Sequence, residues 1–175
     1  ELLAPAGSFP ALQAAIQAGA DAIYFGLQAL NMRQGAAQNF TIADLPQIKK
    51  LCRQNNIKAY AAVNAVLYDE DLFLMRQILT ALKETGIDAV IATDMAAINY
   101  AHKINLPLHL STQLNICNIE AVRFFAQFAN TMVLARELTL EQIAFINQQI
   151  RQENICGPDQ KPIRLEAFIH GALCV

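Results

Sequence analysis

The chain lacks an excess of charge of either sign. Its 175 residues carry 13 Lys and Arg against 15 Asp and Glu, a net charge of -2. A strongly basic footprint for nucleic acid is therefore absent. The one basic cluster, Lys49, Lys50, Arg53 and Lys58, lies mostly in the last turns of a predicted helix, where cations complement the helix dipole. An RNA-contacting patch is the alternative reading of it. No apolar run approaches the ~20 residues that span a bilayer, so no membrane partner is expected. No basic leader with a cleavage site precedes the first strand-like residues, and the absent initiator Met suggests a trimmed chain. The cytoplasm is the expected compartment.

Paired cysteines are lacking too. Cys52, Cys117, Cys156 and Cys174 form no Cys-x-x-Cys pair, which excludes a zinc ribbon, and without a secretion signal disulfides are not expected. Cys52 shares an apolar helical face with Ile48 and Leu51 and reads as core. The glycine fingerprint of dinucleotide folds is missing after the first strand, and neither a His-Glu-x-x-His helix nor a Gly-x-Ser-x-Gly elbow occurs.

What is present is a compact, 54% apolar and 16% charged chain that alternates short apolar runs with helical stretches. Strands are predicted at 2–4, 22–25, 58–63, 89–92, 108–110, 131–135 and 164–169. Helices are predicted at 11–18, 41–54, 69–85, 95–104, 119–129 and 140–153. Thr41 with Asp44 resembles a capping box, and Gly86 stands where a helix-ending glycine would. Seven strands and six helices in strict alternation, about 25 residues per unit, imply parallel strands with right-handed crossovers. An open doubly wound sheet and a TIM-type (β/α) barrel both fit. The even repeat favours the barrel, which is incomplete because eight units and about 250 residues are usual. The reading is of one partial barrel domain, 1–175, of a longer protein, with open strand edges that can serve an oligomer.

Such barrels place chemistry at the carboxyl ends of their strands. Here those ends are polar while the strand bodies are apolar: Asn64, Asp94, Ser111-Thr112-Gln113, Arg136-Glu137 and His170. Arg33 and Asn39 lie in a long loop that can fold over the same face. Each has a plainer alternative. Asn64, Asp94, Ser111 and Thr112 can cap local backbone, Glu137 can pair with Arg136 or a lysine, and His109 reads as a structural histidine inside its strand. An arginine in a barrel mouth suits a carboxylate or phosphate through its bidentate fork. In the last stretch, Arg164–Val175, Glu166 and His170 are four apart on one predicted strand face, and Cys174 follows the Gly171 turn. In extended chain His170 and Cys174 would stand about 13 Å apart, so they meet as base and nucleophile only if Gly171 turns the chain. Cys174 as a metal or cluster thiolate is equally compatible.

Six ordered segments then resemble one family. They are Glu1-Leu-Leu-Ala-Pro-Ala-Gly7, Gly19-Ala-Asp-Ala-Ile-Tyr24, Asn31-Met-Arg33 with Asn39-Phe40, Leu108-His-Leu-Ser-Thr-Gln113, Val133-Leu-Ala-Arg-Glu-Leu138 and Glu166-Ala-Phe-Ile-His-Gly-Ala-Leu-Cys174. Together they look like the collagenase-like peptidase family U-32. The resemblance implies a peptidase acting on collagen-like chains, support for hydroxylation of a nucleoside in tRNA or 23S rRNA, or, in a branch whose members hold a four-iron cluster, oxygen-independent ubiquinone hydroxylation. It links the second activity to prephenate and to iron–sulfur supply. It makes Cys174 the first ligand of a [4Fe-4S] cluster whose other ligands lie beyond this chain, Cys52, Cys117 and Cys156 being off the cluster positions. Arg33, Gln113, Arg136, Glu137 and His170 would line the substrate mouth, where an arginine can hold a prephenate-like carboxylate. RNA or a peptide is the expected partner. A non-catalytic assembly module working through open strand edges is the third reading.

Overall fold

A computed structural model describes residues 1–32 and 39–170. Arg33 and Cys174 lie outside the described residues, so the expectations placed on them are not addressed by it. The fold is of the (β/α)-barrel class, with seven parallel strands and six α-helices in alternation.

The chain divides into two compact units, 1–108 and 109–175. The first holds β1 (Leu3–Pro5), α1 (Phe9–Gln17), β2 (Ala22–Gly26), α2 (Leu45–Gln54), β3 (Lys58–Val63), α3 (Leu72–Thr85), β4 (Ala89–Ala92) and α4 (Met95–Lys103). Its strands pair in sequence order, with Leu3 beside Ala22, Tyr24 beside Tyr60 and Tyr60 beside Ala89. Successive side chains on a strand point to opposite faces. One face carries a cluster of Ala22, Tyr60, Ala89 and Ile91, with Leu3 and Tyr24 packed against it. The alternate residues, Ile23, Phe25, Ala61, Val63, Val90 and Ala92, are also buried. Burial on both faces is what a parallel sheet of this class requires. The helices turn their own apolar stripes inward: Leu45, Ile48 and Cys52 on α2, and Met75, Ile78, Leu79 and Leu82 on α3.

The helix ends follow local chemistry. Thr41 and Asp44 form the expected capping box ahead of α2, on a short 3-10 turn (Ile42–Asp44). Gly86 closes α3 in the left-handed conformation at φ +75°, open to glycine and costly for most residues. Asp94 caps α4 by accepting from the Ala96 N–H at 2.8 Å. Among the described residues no helix is long and apolar enough to cross a membrane.

The second unit takes up β5 (Leu108–Leu110) from His109 onward, then α5 (Ile119–Phe125), β6 (Thr131–Val133), α6 (Leu140–Gln152) and β7 (Arg164–Glu166). Here the structure corrects three expected lengths. Helix α5 stops at Phe125 instead of Ala129, and β6 at Val133 instead of Ala135. Strand β7 stops at Glu166 instead of Ile169, because its partner runs out: the Leu134 N–H donates to the Glu166 carbonyl at 2.9 Å, one residue past the end of β6. Glu166 and His170 consequently do not share a strand face. His170 stands in a bend four residues beyond the strand and is exposed.

Candidate functional site

The register of the second unit decides which side chains share a face. His109 lies beside Thr131, and Thr131 beside Arg164; Val133 lies beside Glu166. In-register residues of parallel strands point the same way, and so do residues two apart on one strand. His109, Ser111, Thr131, Val133, Arg164 and Glu166 therefore occupy one face. Leu108, Leu110 and Met132 occupy the other and are buried. This polar face contrasts with the Leu3–Tyr24–Tyr60–Ile91 cluster of the first unit.

His109 is only 7% exposed. Its Nδ1 lies 3.3 Å from the Glu166 Oε2, and the Glu166 side chain keeps 26% of its surface. A carboxylate this close to a buried imidazole can orient the ring. The Thr131 Oγ1, level with His109, is buried and has no hydrogen-bond partner among the described residues. Buried hydroxyls are nearly always bonded, so this one stands out.

Beyond the strand ends, the Ser111 Oγ donates to the Gln113 Oε1 at 3.0 Å, and the Thr112 Oγ1 donates to the Leu134 carbonyl at 3.0 Å. Gln113 is half-buried, on a 3-10 turn over Thr112–Leu114. Arg136 and Glu137 are both exposed in the turn after β6. No ion pair joins them among the described residues; the Arg136 guanidinium instead lies over the Phe168 ring, 5.7 Å from its centroid. Phe168 is 52% and Ile169 86% exposed.

Of the plainer alternatives, Asp94 is a helix cap, and the Asn64 Oδ1 accepts from the Met32 N–H at 3.3 Å. His102 is exposed on α4. The basic cluster is partly neutralised: Lys49 pairs with Asp88 at 2.8 Å and Lys58 with Glu1 at 2.5 Å. A groove between α3 and α4, lined by Leu72, Met75, Arg76, Tyr100 and Lys103, holds none of the residues singled out from the sequence.

Sequence reasoning missed two members. His109 read as structural because it sits inside its strand, and Phe168 read as part of a strand body. The signal for His109 was its place in a segment ending Ser-Thr-Gln, but its partner Glu166 is 57 residues away (166 − 109) and only the three-strand register joins them.

The described residues do not supply a cluster or metal ligand set, since no three His, Cys, Asp or Glu among them converge. Cys52 is buried, and burial, reinforced by the Asp88 carboxylate, pushes its thiol up to about 11, away from the thiolate that a metal needs. Cys117 is exposed and Cys156 half-buried.

Comparison with known proteins places these features. The chain is 51% identical over 175 residues to "Collagenase" of Porphyromonas gingivalis (strain ATCC BAA-308 / W83), covering 100% of the chain and 42% of that protein. It is 34% identical over 179 residues to the 23S rRNA 5-hydroxycytidine C2501 synthase of Escherichia coli (strain K12), covering 100% of the chain and 25% of that protein. The chain thus spans less than half the length of these relatives. Among solved structures, the U32 peptidase Mk0906 matches with a TM-score of 0.73 at 12% identity, over 95% of this chain and 67% of that one, a likeness of fold. The model of peptidase family U32 matches residues 7–175, and the chain belongs to that family.

Proposed function

We propose that this chain is part of the barrel domain of a longer cytoplasmic protein that supports prephenate-dependent hydroxylation of a nucleoside in tRNA or 23S rRNA. The observation that carries the reading is the Arg136 guanidinium lying over the exposed Phe168 ring beyond the strand ends. RNA is recognised through unstacked bases laid on aromatic rings and guanidinium planes. An exposed ring with a guanidinium on its face suits a splayed-out base better than it suits an extended peptide. The 34% identity to an rRNA hydroxycytidine synthase adds support. Gln113, Arg136, Glu137 and His170 belong to the substrate mouth in this reading, and an arginine there would hold the prephenate carboxylate. Cys174 would contribute one thiolate to a [4Fe-4S] cluster completed elsewhere in the longer protein.

The test is deletion of the full-length gene, with hydroxylated nucleosides in tRNA and rRNA measured by mass spectrometry. Loss of one such nucleoside, restored by the intact gene but not by Arg136→Ala, is the expected outcome. Unchanged levels in the deletion strain sink the reading.

A second reading, a collagenase-like peptidase, is favoured by the 51% identity to the Porphyromonas gingivalis protein. Gelatin hydrolysis by the purified full-length protein, abolished by Cys174→Ser, would establish the peptidase and displace the RNA reading.

A further inference from the structure

We propose that His109 and Glu166 form one proton-handling unit, in which His109 carries a proton to or from the substrate and Glu166 positions and charge-balances it. The assignment rests on the RNA reading for its substrate, a pyrimidine base, and on geometry alone for the coupling of the two residues.

Barrel interiors are packed by apolar, often branched side chains. The first unit obeys that rule on its Leu3–Tyr24–Tyr60–Ile91 face. In the second unit, described by itself, one strand face carries His109, Thr131 and Glu166, with Ser111 just past the end of β5. Polar groups taken from water destabilise unless they are paired. A histidine kept for structure needs only a neutral acceptor. Here it faces a carboxylate at 3.3 Å, and the adjacent Thr131 hydroxyl is buried with no hydrogen-bond partner among the described residues. An arrangement that costs stability at two neighbouring positions on one face is the pattern of a site, and the unfilled hydroxyl is capacity left for a ligand.

The charged groups facing the imidazole from this unit are both on β7: Glu166, and Arg164 one side-chain step back, which is exposed. Strand β6 contributes Thr131 and Val133, neither charged. In the step, the bond from the substrate atom to its hydrogen breaks and the electron pair stays on the substrate. The proton joins the imidazole, and the imidazolium is stabilised by the Glu166 carboxylate. Because Glu166 is a quarter exposed and His109 nearly buried, the proton returns to solvent along the Glu166 side.

The experiment uses the full-length protein with 15N-labelled histidine. In the wild type, the His109 ring is expected to show an Nδ1–H signal protected from solvent exchange, with His109→Asn identifying it. Glu166→Gln should abolish that protection and lower the hydroxylated nucleoside in cells at least tenfold, at unchanged protein level and melting temperature. Glu166→Asp, which keeps the charge, should restore part of both. An Nδ1–H signal unaffected by Glu166→Gln, or full hydroxylation in cells carrying either Glu166→Gln or His109→Asn, overturns the proposal. Should Glu166→Gln fail to fold, Glu166→Asp decides: a protected signal and retained hydroxylation support the pair, and loss of the signal in a folded Glu166→Asp protein overturns it. If gene deletion itself leaves every nucleoside unchanged, the RNA reading falls, while the exchange measurement still decides whether the two residues are coupled.

Discussion

Cys52 shows how one buried side chain ties stability to pH. It is fully buried on α2, and burial first, then the Asp88 carboxylate, hold its proton until about pH 11, against 9.0 for a free thiol; Lys49 opposes the shift weakly. Between those pH values the unfolded chain has lost a proton that the folded chain keeps. Stability therefore falls as pH rises from about 9 to about 11, by about 3 kcal/mol at the limit, and is unaffected below 9. Urea melts at pH 8 and pH 10.5 should show this loss in the wild type and less of it in Cys52→Ala. Thr131 makes the opposite case. Its buried hydroxyl lacks a partner among the described residues, so Thr131→Val should be neutral or stabilising by about 1 kcal/mol, read as a small rise in melting temperature. Under the reading of that face as a site, the same substitution lowers hydroxylation, a trade of function for stability.

Among the elements, the turns separate backbone conformation from space. Gly86 has φ +75°, but a Cβ there would meet nothing within 4 Å, so Gly86→Ala should cost about 1 kcal/mol, the penalty of the left-handed region alone. Gly157 has open conformation but no space: a Cβ would overlap the Asn130 amide oxygen and sit 3.0 Å from the Ala129 carbonyl. Gly157→Ala should therefore be the more damaging of the two, by about 2 kcal/mol or more, measured by chemical denaturation. The Gly86 stop and the Thr41–Asp44 box were legible in the sequence because both are local signals spanning a few residues. The end of β7 was not. An apolar run to Ile169 continues past the point where β6 stops offering hydrogen bonds, and the end of a partner strand is written elsewhere in the chain. The same limit hid the His109–Glu166 pair, which needs the register of three strands, whereas the polar strand ends were visible as a pattern.

For the molecule as a whole, charge and interior polarity are distributed unevenly. Lys49 and Lys58 are paired with Asp88 and Glu1, and Arg123 is engaged by Glu120 and Glu153, while the net charge is -2, so no excess of positive charge is offered to phosphate. Under the RNA reading, the Arg136–Phe168 pair and the net charge of -2 favour stacking over counterion release. The slope of log affinity against log salt should stay near that of one or two phosphate contacts, about -0.7 to -1.4. Binding measured at 50 and 200 mM salt checks this, and a steep slope would point to an undetected basic surface.

In each unit, every strand pairs with the one made just before it: β2 on β1, β3 on β2, β4 on β3, then β6 on β5 and β7 on β6. Neighbours in space are close in sequence, which keeps loop-closure costs low and folding fast for a parallel sheet. A nascent chain leaving the ribosome can dock each new strand on a template already in place, and within a unit no strand edge has to wait for a partner from a distant part of the chain. Synthesis and folding thus run in the same direction, and a pause in translation after any βα step leaves a partial sheet that the next strand extends.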